Sequence, residues 1–148
     1  MDTNRWTREA YFISIDKALL NITYIHNYLC NEAYWCKGIP IEIVKKSIEN
    51  STCFGVYKND QQVGFARAIT DKATFGYIGD VFIDADYRGQ GLSKWLVQTI
   101  LDYPQFQGFR NWMLVTQDAH GLYEQFGFVI HPQPERVMRK NDPSCYGK

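Results

Sequence analysis

The sequence has 148 residues, with sixteen basic and sixteen acidic side chains, and 45% of it is hydrophobic. That length suits one domain with its own core, and the balanced charge argues against disorder and against the Lys and Arg excess that binds nucleic acid or anionic membranes. No apolar run approaches the roughly 20 residues of a membrane helix, and the polar N-terminus is unlike a signal peptide. We therefore expect one cytoplasmic domain, residues 1–148, with no nucleic-acid or membrane partner.

The first third of the chain predicts a strand and two helices. Residues 11–15 are rich in β-forming side chains and precede Asp16, a good cap for a helix that runs to about Cys30. A second helix is predicted to start at Pro40 and to end at Asn50. The apolar residues recur at helical spacing, at Ala18, Ile22, Ile25 and Leu29 in the first helix and at Ile41, Val44 and Ile48 in the second. The loop between the two helices carries two adjacent aromatic residues.

The middle of the chain changes to the period-two pattern of β-strands. The predicted strands are residues 53–58, 62–70 and 74–84. The short polar turns between them favour an antiparallel meander. Gly79, inside the third strand, is a candidate β-bulge.

The last third predicts a strong amphipathic helix that starts near Leu92 and ends before Pro104. It is followed by a short buried strand, a short helix and a closing pair of strands, at residues 112–115, 119–126, 128–130 and 136–138. The whole pattern indicates an α+β (mixed α/β) class, with a largely antiparallel twisted sheet flanked by helices.

Cysteine and histidine spacing gives no sign of a metal site. The four cysteines, Cys30, Cys36, Cys53 and Cys145, lack the CxxC spacing, and the three histidines do not complete a zinc pattern. We expect free, mostly buried thiols and no metal.

The junction between the third meander strand and the amphipathic helix, residues 86–94, is the most informative segment. The first N–H groups of a helix have no internal acceptor and carry partial positive charge, so a loop at this point can hold phosphate. Gly89 and Gly91 remove the Cβ atoms that would keep a pyrophosphate from the amides, and Arg88 or Lys94 can add charge. A tight strand-to-helix turn is the alternative, because the third glycine of a dinucleotide fingerprint is absent and no P-loop occurs.

Two motifs lie in the second half of the chain. The first is Tyr87-Arg88-Gly89-Gln90-Gly91, after a strand that contains Val81 and Ile83, and the second is Leu122-Tyr123-Glu124-Gln125-Phe126-Gly127-Phe128. Together they resemble the motifs of the GNAT superfamily of acetyl-CoA-dependent N-acetyltransferases. The resemblance spans residues 53–130 and implies a GNAT-like fold. It also implies an enzyme that moves an acetyl group from acetyl-CoA to a primary amine of a small molecule or of a peptide. A homodimer is one possible assembly.

The resemblance assigns roles to the residues of both motifs. The backbone amides of Arg88, Gly89, Gln90, Gly91, Leu92 and Ser93 would bind the pyrophosphate of coenzyme A. The strand of Val81, Phe82 and Ile83 would pair with the pantetheine arm, in a cleft against residues 112–115. Tyr123 matches a tyrosine near the coenzyme sulfur, where its phenol would protonate the departing thiolate. A helix aromatic packed on the sheet is the other interpretation of Tyr123.

Acetylation of an amine also needs a base. An alkylamine has a pKa of about 10.4, so it is protonated at neutral pH and must lose a proton before it attacks. The candidates are Asp80, on the strand beside the expected thioester, and Glu32, on the loop over the acceptor side. Alternation places Ile78, Asp80 and Phe82 on one strand face, so Asp80 faces either the cleft or solvent. A water relay is the third route.

The acceptor side of the predicted site is the loop that carries Tyr34 and Trp35. These rings are suited to an apolar or aromatic amine, through packing or cation–π attraction, but they are equally suited to a lid packed on its own domain. Neither motif contains a cysteine, which favours direct transfer in a ternary complex. The alternative function is a non-catalytic module that binds acyl-CoA as a sensor or scaffold.

Overall fold

A computed structural model describes residues 4–147 and shows a mixed sheet flanked by helices. The strands are β1 (Arg5–Arg8), β2 (Tyr11–Ser14), β3 (Thr52–Lys58), β4 (Gln61–Thr70), β5 (Phe75–Ile83) and β6 (Asn111–Met113). The helices are α1 (Ile22–Asn31), α2 (Ile41–Glu49), α3 (Leu92–Asp102) and α4 (His120–Glu124), and short 3₁₀ turns lie at Lys17–Leu19, Ala85–Tyr87, Pro104–Phe106 and Pro134–Arg136. In the described part of the chain no helix is long and apolar enough to cross a membrane.

The strands lie in the sheet in chain order, from β1 at one edge to β6 at the other. Strands β1 to β5 are antiparallel neighbours, and β6 joins β5 in parallel. The predicted α+β class with a largely antiparallel sheet is therefore confirmed. The sequence pattern missed β1, because this strand is mostly exposed and only Trp6 of its side chains packs on the core.

The start of the first helix differs from the prediction. Asp16 caps only a 3₁₀ turn, since its carboxylate accepts a 2.9 Å hydrogen bond from the N–H of Ala18. The helix α1 begins after Asn21, whose side chain accepts a 3.0 Å hydrogen bond from the N–H of Tyr24. Two good capping residues in succession thus divide one predicted helix into a turn and a shorter helix. Helix α2 follows Pro40 as predicted.

The two faces of the sheet carry separate hydrophobic clusters. The face covered by α3 buries Phe54, Val56, Leu96 and Ile100 among others. The face covered by α1 and α2 buries Ile25, Leu29, Val44, Phe65 and Phe82 among others. Aromatic residues make up 16% of the sequence, and many of them lie in these two cores.

A β-bulge lies in β5. Across β4 and β5, Phe65 pairs with Phe82 and Arg67 pairs with Gly79, so β5 contains one residue more than β4 over this interval. The left-handed residue of the bulge is Asp80, with φ of 55°, and not the predicted Gly79. Aspartate is one of the few residue types that adopt this conformation at modest cost, because its short side chain can hydrogen-bond locally.

The bulge also reverses the side-chain alternation of β5. Ile78 belongs to the cluster under α3, whereas Phe82 belongs to the cluster under α1 and α2. The prediction that Ile78, Asp80 and Phe82 share one face is therefore wrong. An extra residue moves every later side chain to the other side of a strand, because the side-chain period is two.

The predicted closing strands are absent from residues 128–138, where the structure has coil and one 3₁₀ turn. Pro132 and Pro134 have no N–H to donate to a strand partner, which opposes pairing of this segment. The segment instead borders a cavity of about 760 Å³ together with β6 and α4. Its apolar side chains Val129, Ile130 and Met138 are exposed.

Candidate functional site

The loop between β5 and α3 has the backbone that its two glycines allow. Gly89 and Gly91 have φ of 81° and 80°, in the left-handed region that other residues rarely adopt. A Cβ atom on Gly89 would meet nothing within 4 Å. Glycine is therefore needed here for its backbone conformation and because it leaves the backbone accessible from outside. It is not needed to avoid a clash within the chain.

The N-terminus of α3 presents a row of available amides. Gly91 is the N-cap of the helix and supplies no side-chain cap. No backbone N–H of residues 89–94 donates a hydrogen bond to any group between residues 4 and 147, and the first one used is that of Trp95, which donates to the Gly91 carbonyl at 3.0 Å. Such amides carry the positive end of the helix dipole. The row fits the pyrophosphate of a nucleotide coenzyme.

The side chain of Arg88 makes its hydrogen bonds within the protein. Its Nε donates to the Ile83 carbonyl at 2.9 Å, and its Nη2 donates to the Tyr28 hydroxyl at 3.0 Å. These bonds tie the loop to the end of β5 and to α1. Sequence reasoning proposed that Arg88 adds charge toward a phosphate, but the structure uses the guanidinium to fix the loop. Its backbone N–H was also predicted to bind the pyrophosphate, but this N–H donates to the Ala85 carbonyl at 3.5 Å, so the row of available amides begins at Gly89.

Strand β5 has an open edge beside this loop. Its parallel pairing with β6 covers only Phe75–Tyr77 against Asn111–Met113, and β5 continues to Ile83 without a partner on that side in the described part of the chain. The open stretch includes Val81, Phe82 and Ile83, as predicted for the strand that pairs with an extended ligand. Phe82 is held by Tyr28, whose ring stacks on it with centroids 3.8 Å apart.

Asp80 lies in the open stretch, and both of its carboxylate oxygens have partners. The Nε of Arg67 donates to Oδ2 at 2.6 Å, and the indole N–H of Trp35 donates to Oδ1 at 2.8 Å. The Asp80 side chain is only 12% exposed. Arg67 also donates to the Ser51 hydroxyl at 3.0 Å. Sequence reasoning missed Arg67, although a charged residue inside the largely apolar strand β4 was the available signal.

Glu32, the second predicted base, lies at the end of α1 and is exposed. Its side chain makes no hydrogen bond or ion pair with the described residues, and its charge acts on Tyr24, whose pKa is raised chiefly by burial and next by Asp84. Tyr24 donates a hydrogen bond to Asp84 at 3.2 Å. Glu32 thus lies near Tyr24, whereas Asp80 is hydrogen-bonded to Arg67 and Trp35.

The aromatic loop between α1 and α2 connects the two sides of the opening between β5 and the segment after β6. Trp35 contacts Asp80 on β5, and the Tyr34 hydroxyl accepts a 2.9 Å hydrogen bond from the N–H of Gln117. The two rings meet edge to face with centroids 5.0 Å apart, and they are 48% and 43% exposed. The loop therefore spans this opening and leaves nearly half of each ring residue exposed.

Tyr123 is buried in α4, where only 7% of it is exposed and its ring packs edge-on against Phe128. Burial, and to a lesser degree the neighbouring Tyr34, raises the pKa of Tyr123 to about 12. The phenol is therefore protonated at neutral pH. Its hydroxyl has no hydrogen-bond partner within residues 4–147, and the residue lines the cavity of about 760 Å³ beside β6.

Tyr146, near the C-terminus, was not a predicted site residue. Its side chain packs against the cluster under α1 and α2, and its carbonyl lies 3.9 Å from where a Cβ on Gly38 would stand. Its pKa is raised, first by burial and then by the nearby Cys145, Cys36 and Asp80. The C-terminal segment thus returns to the acceptor side, a contact that no local sequence pattern indicates.

Comparison with known proteins covers the same region. A model of the acetyltransferase (GNAT) family matches residues 40–128. A protein from Gibberella zeae that is named an acetyltransferase is 32% identical to this chain, in an alignment that covers 80% of this chain and 78% of that protein. The crystal structure of a protein from Xanthomonas campestris, described as a GNAT-family acetyltransferase, has a TM-score of 0.90 and 41% identity, and it covers 93% of this chain and 97% of that one.

A more distant neighbour carries the coenzyme. A GNAT-family acetyltransferase from Elizabethkingia anophelis, solved with acetyl-CoA bound, shares the fold with a TM-score of 0.62 at 14% identity, over 83% of this chain and 78% of that one. The segment matched by the family model contains the glycine loop, the open edge of β5 and Tyr123. The segment that matches the family therefore contains the residues that form the candidate site. The chain belongs to the acetyltransferase (GNAT) family and is an N-acetyltransferase of that type.

Proposed function

We propose that the protein transfers an acetyl group from acetyl-CoA to a primary amine by direct attack within a ternary complex. The row of available amides at residues 89–94 carries this proposal, because it is an anion site at the end of an unpaired strand edge. The amides would hold the pyrophosphate, and residues 81–83 would orient the pantetheine arm by backbone pairing. The thioester would then lie along β5 toward Asp80.

The acceptor proton goes to Asp80 in this proposal. An ammonium group that enters beside Trp35 can replace the indole N–H as the donor to Oδ1, while Arg67 keeps Oδ2 and so fixes the orientation of the carboxylate. After Oδ1 takes the first proton, the neutral nitrogen forms a bond to the acetyl carbon, and the carbon–sulfur bond breaks with its electron pair on sulfur. The nitrogen then loses its second proton and the sulfur gains one, so that the products are the amide and the free thiol of coenzyme A. Asp80 is favoured over Glu32 because it lies on β5 itself.

Tyr123 supplies the hydrogen bond that the departing sulfur needs. Its pKa of about 12 keeps the proton on the phenol throughout the neutral range. That value is well above the roughly 8.5 of an ordinary thiol, so a hydrogen bond to the sulfur is favoured over early and complete proton transfer. The phenol thereby stabilises charge as it develops in the transition state.

The substrate is a primary amine with an apolar or aromatic body, on a small molecule or at an accessible amino group. The exposed ring surfaces of Tyr34 and Trp35 support this class, because they offer packing area beside a carboxylate that attracts an ammonium group.

The test is a screen of primary alkylamines, arylalkylamines and peptides with acetyl-CoA, read by release of free thiol and by mass spectrometry of the acetylated product. Turnover with one of these amines is the expected result. Tight binding of coenzyme A without turnover on any amine would instead favour the non-catalytic sensor or scaffold.

A further inference from the structure

We propose that Arg8 and Lys58 form a phosphate-binding position beside the glycine loop and that they bind a phosphate group of coenzyme A. The inference rests on the proposed use of acetyl-CoA, and it adds residues that lie outside both sequence motifs. Arg8 is on β1, and Lys58 ends β3. Neither residue lies in the segment 89–94, which contains the available amides at the N-terminus of α3.

The sheet register places these two cations on one face. Arg8 lies opposite Tyr11 across β1 and β2, and Tyr11 lies opposite Lys58 across β2 and β3. Residues directly opposite each other in antiparallel strands point to the same side of the sheet. Tyr11 is buried in the cluster under α3, so Arg8 and Lys58 flank it on the α3 face.

Each of the two side chains lies near one end of the loop. The guanidinium carbon of Arg8 is 4.8 Å from the ring centroid of Trp95, in the first turn of α3, and its Nη1 is 3.9 Å from where a Cβ on Gly91 would stand. The Nζ of Lys58 is 5.8 Å from the ring centroid of Tyr87, where the loop begins. The hydroxyl of Tyr11 also donates to the Gln90 side chain at 3.1 Å, which joins this part of the sheet to the loop.

The charges around Arg8 and Lys58 favour an anion at this position. Neither Arg8 nor Lys58 forms an ion pair with a carboxylate of residues 4–147, and α3 has no acidic residue in its first turn. A cation beside a helix N-terminus is opposed by the helix dipole, and an anion bound between the two would remove that repulsion.

Coenzyme A has the matching chemistry. It carries a pyrophosphate and, on its ribose, a further phosphate group. The amides of residues 89–94 suit one part of this anion, and a guanidinium and an ammonium supply charge-assisted hydrogen bonds to another oxygen group. Binding is therefore expected to depend on both sets of donors.

The experiment measures the binding of unacetylated coenzyme A, dephospho-coenzyme A and pantetheine by titration calorimetry. The variants are Arg8→Ala, Lys58→Ala and the double variant. The matched control is Arg5→Ala, because Arg5 is also a cation on β1 that lies over a ring, 3.7 Å from the centroid of Phe12, but at an odd spacing from Arg8 and so on the other face. Melting temperatures of the apo proteins check that all variants fold.

We expect Arg8→Ala to weaken coenzyme A binding about tenfold, and the double variant to weaken it further, because each substitution removes a charge-assisted hydrogen bond to the phosphate group. Arg5→Ala should bind as the unaltered protein does, and pantetheine affinity should be equal in all proteins. Loss for coenzyme A alone identifies the ribose phosphate as the ligand. Equal loss for dephospho-coenzyme A identifies the pyrophosphate.

Two outcomes overturn the inference: coenzyme A affinity in the double variant equal to that of Arg5→Ala, or an equal loss of pantetheine affinity, which would reveal a general change of the cleft. An unaltered protein that binds coenzyme A but acetylates no amine refutes the proposed acetyl transfer and leaves this inference standing. An unaltered protein that does not bind coenzyme A overturns both.

Discussion

The indole N–H of Trp35 donates a 2.8 Å hydrogen bond to Oδ1 of Asp80, which lies 45 residues further along the chain. This bond ties the aromatic loop to the bulge of β5. It also means that the proposed base and the proposed wall of the acceptor site are in direct contact before a substrate binds. The amine must therefore compete with an indole for the same oxygen atom.

Trp35→Phe tests that competition, since it keeps a ring and removes the donor. We expect the KM for the amine to fall by up to about fivefold, the effect of one net hydrogen bond, with coenzyme affinity unchanged. Trp35→Ala is the matched comparison, because it removes the ring too and should raise the KM. Steady-state kinetics with a fixed amine measure both. A KM for Trp35→Phe as high as that of Trp35→Ala would show that the N–H assists binding.

Asp80→Asn should lower turnover by about two to four orders of magnitude, the usual contribution of a general base. Asparagine tolerates the left-handed backbone at this position, so the bulge should survive and the loss should be chemical. Glu32→Gln is the control and should retain turnover. Turnover of the two variants is compared from pH 6 to pH 10. If Asp80→Asn retains as much turnover as Glu32→Gln, Asp80 is not the base, and a water relay is favoured.

Tyr123→Phe should lower turnover about ten- to a hundredfold and leave coenzyme affinity nearly unchanged, because it removes only the phenol donor. The pKa of Tyr123 is raised to about 12, so the unaltered phenol keeps its proton below that value. Turnover should therefore show no decline from Tyr123 ionisation between pH 7 and pH 10. Tyr103→Phe, in the core under α3, is the control. Equal turnover in both variants would remove the proposed role.

Gly91→Ala should weaken coenzyme binding, because a methyl group and a strained left-handed backbone disturb the amides of the loop. Gly108→Ala is a matched control, since Gly108 has φ of 86° with open space around it and lies after α3. Both variants carry a similar backbone cost, about 1–2 kcal/mol. Calorimetry should thus show lost affinity for the first variant alone, and unaltered affinity in both would contradict the phosphate loop.

Cysteine chemistry provides a test of direct transfer. Burial raises the pKa of Cys36 to about 12 and that of Cys53 to about 11, so both are protonated at pH 8. Cys145 is exposed and should react first with a thiol reagent. Replacement of each of the four cysteines by serine should preserve turnover, and intact-protein mass spectrometry should find no acetyl-enzyme. An acetylated thiol that forms and decays at the turnover rate would contradict direct transfer.

The glycine loop shows how well a local pattern predicts backbone conformation. Its position between a strand and an amphipathic helix is encoded within a few residues, so Gly89, Gly91 and the start of α3 were predictable from neighbours in the sequence. The side chain of Arg88 was not, because its partners Ile83 and Tyr28 depend on how the loop lies against α1. Its backbone N–H was not predictable either, because it donates to the Ala85 carbonyl at 3.5 Å inside the turn that precedes the loop.

The closing strands show the opposite case. Residues 128–130 have strand-forming side chains, yet no partner strand pairs with them in the described chain. Strand formation needs an edge to pair with as well as propensity, and propensity is all that a local pattern contains. The same limit explains why β1 was missed, since its exposed side chains are ordered by the partner strand β2.

The sequence by itself determined the antiparallel meander, the helices that flank it and the loop at residues 88–93, because each depends on period, caps or glycine conformations within one segment. Only the tertiary structure decided which side chains meet at the site. The pairing of Asp80 with Arg67 and Trp35 joins two strands and a distant loop. A single extra residue in β5 reversed the face of every side chain after it. Contacts of this kind depend on register, which pairing between strands sets and a pattern along one strand cannot specify.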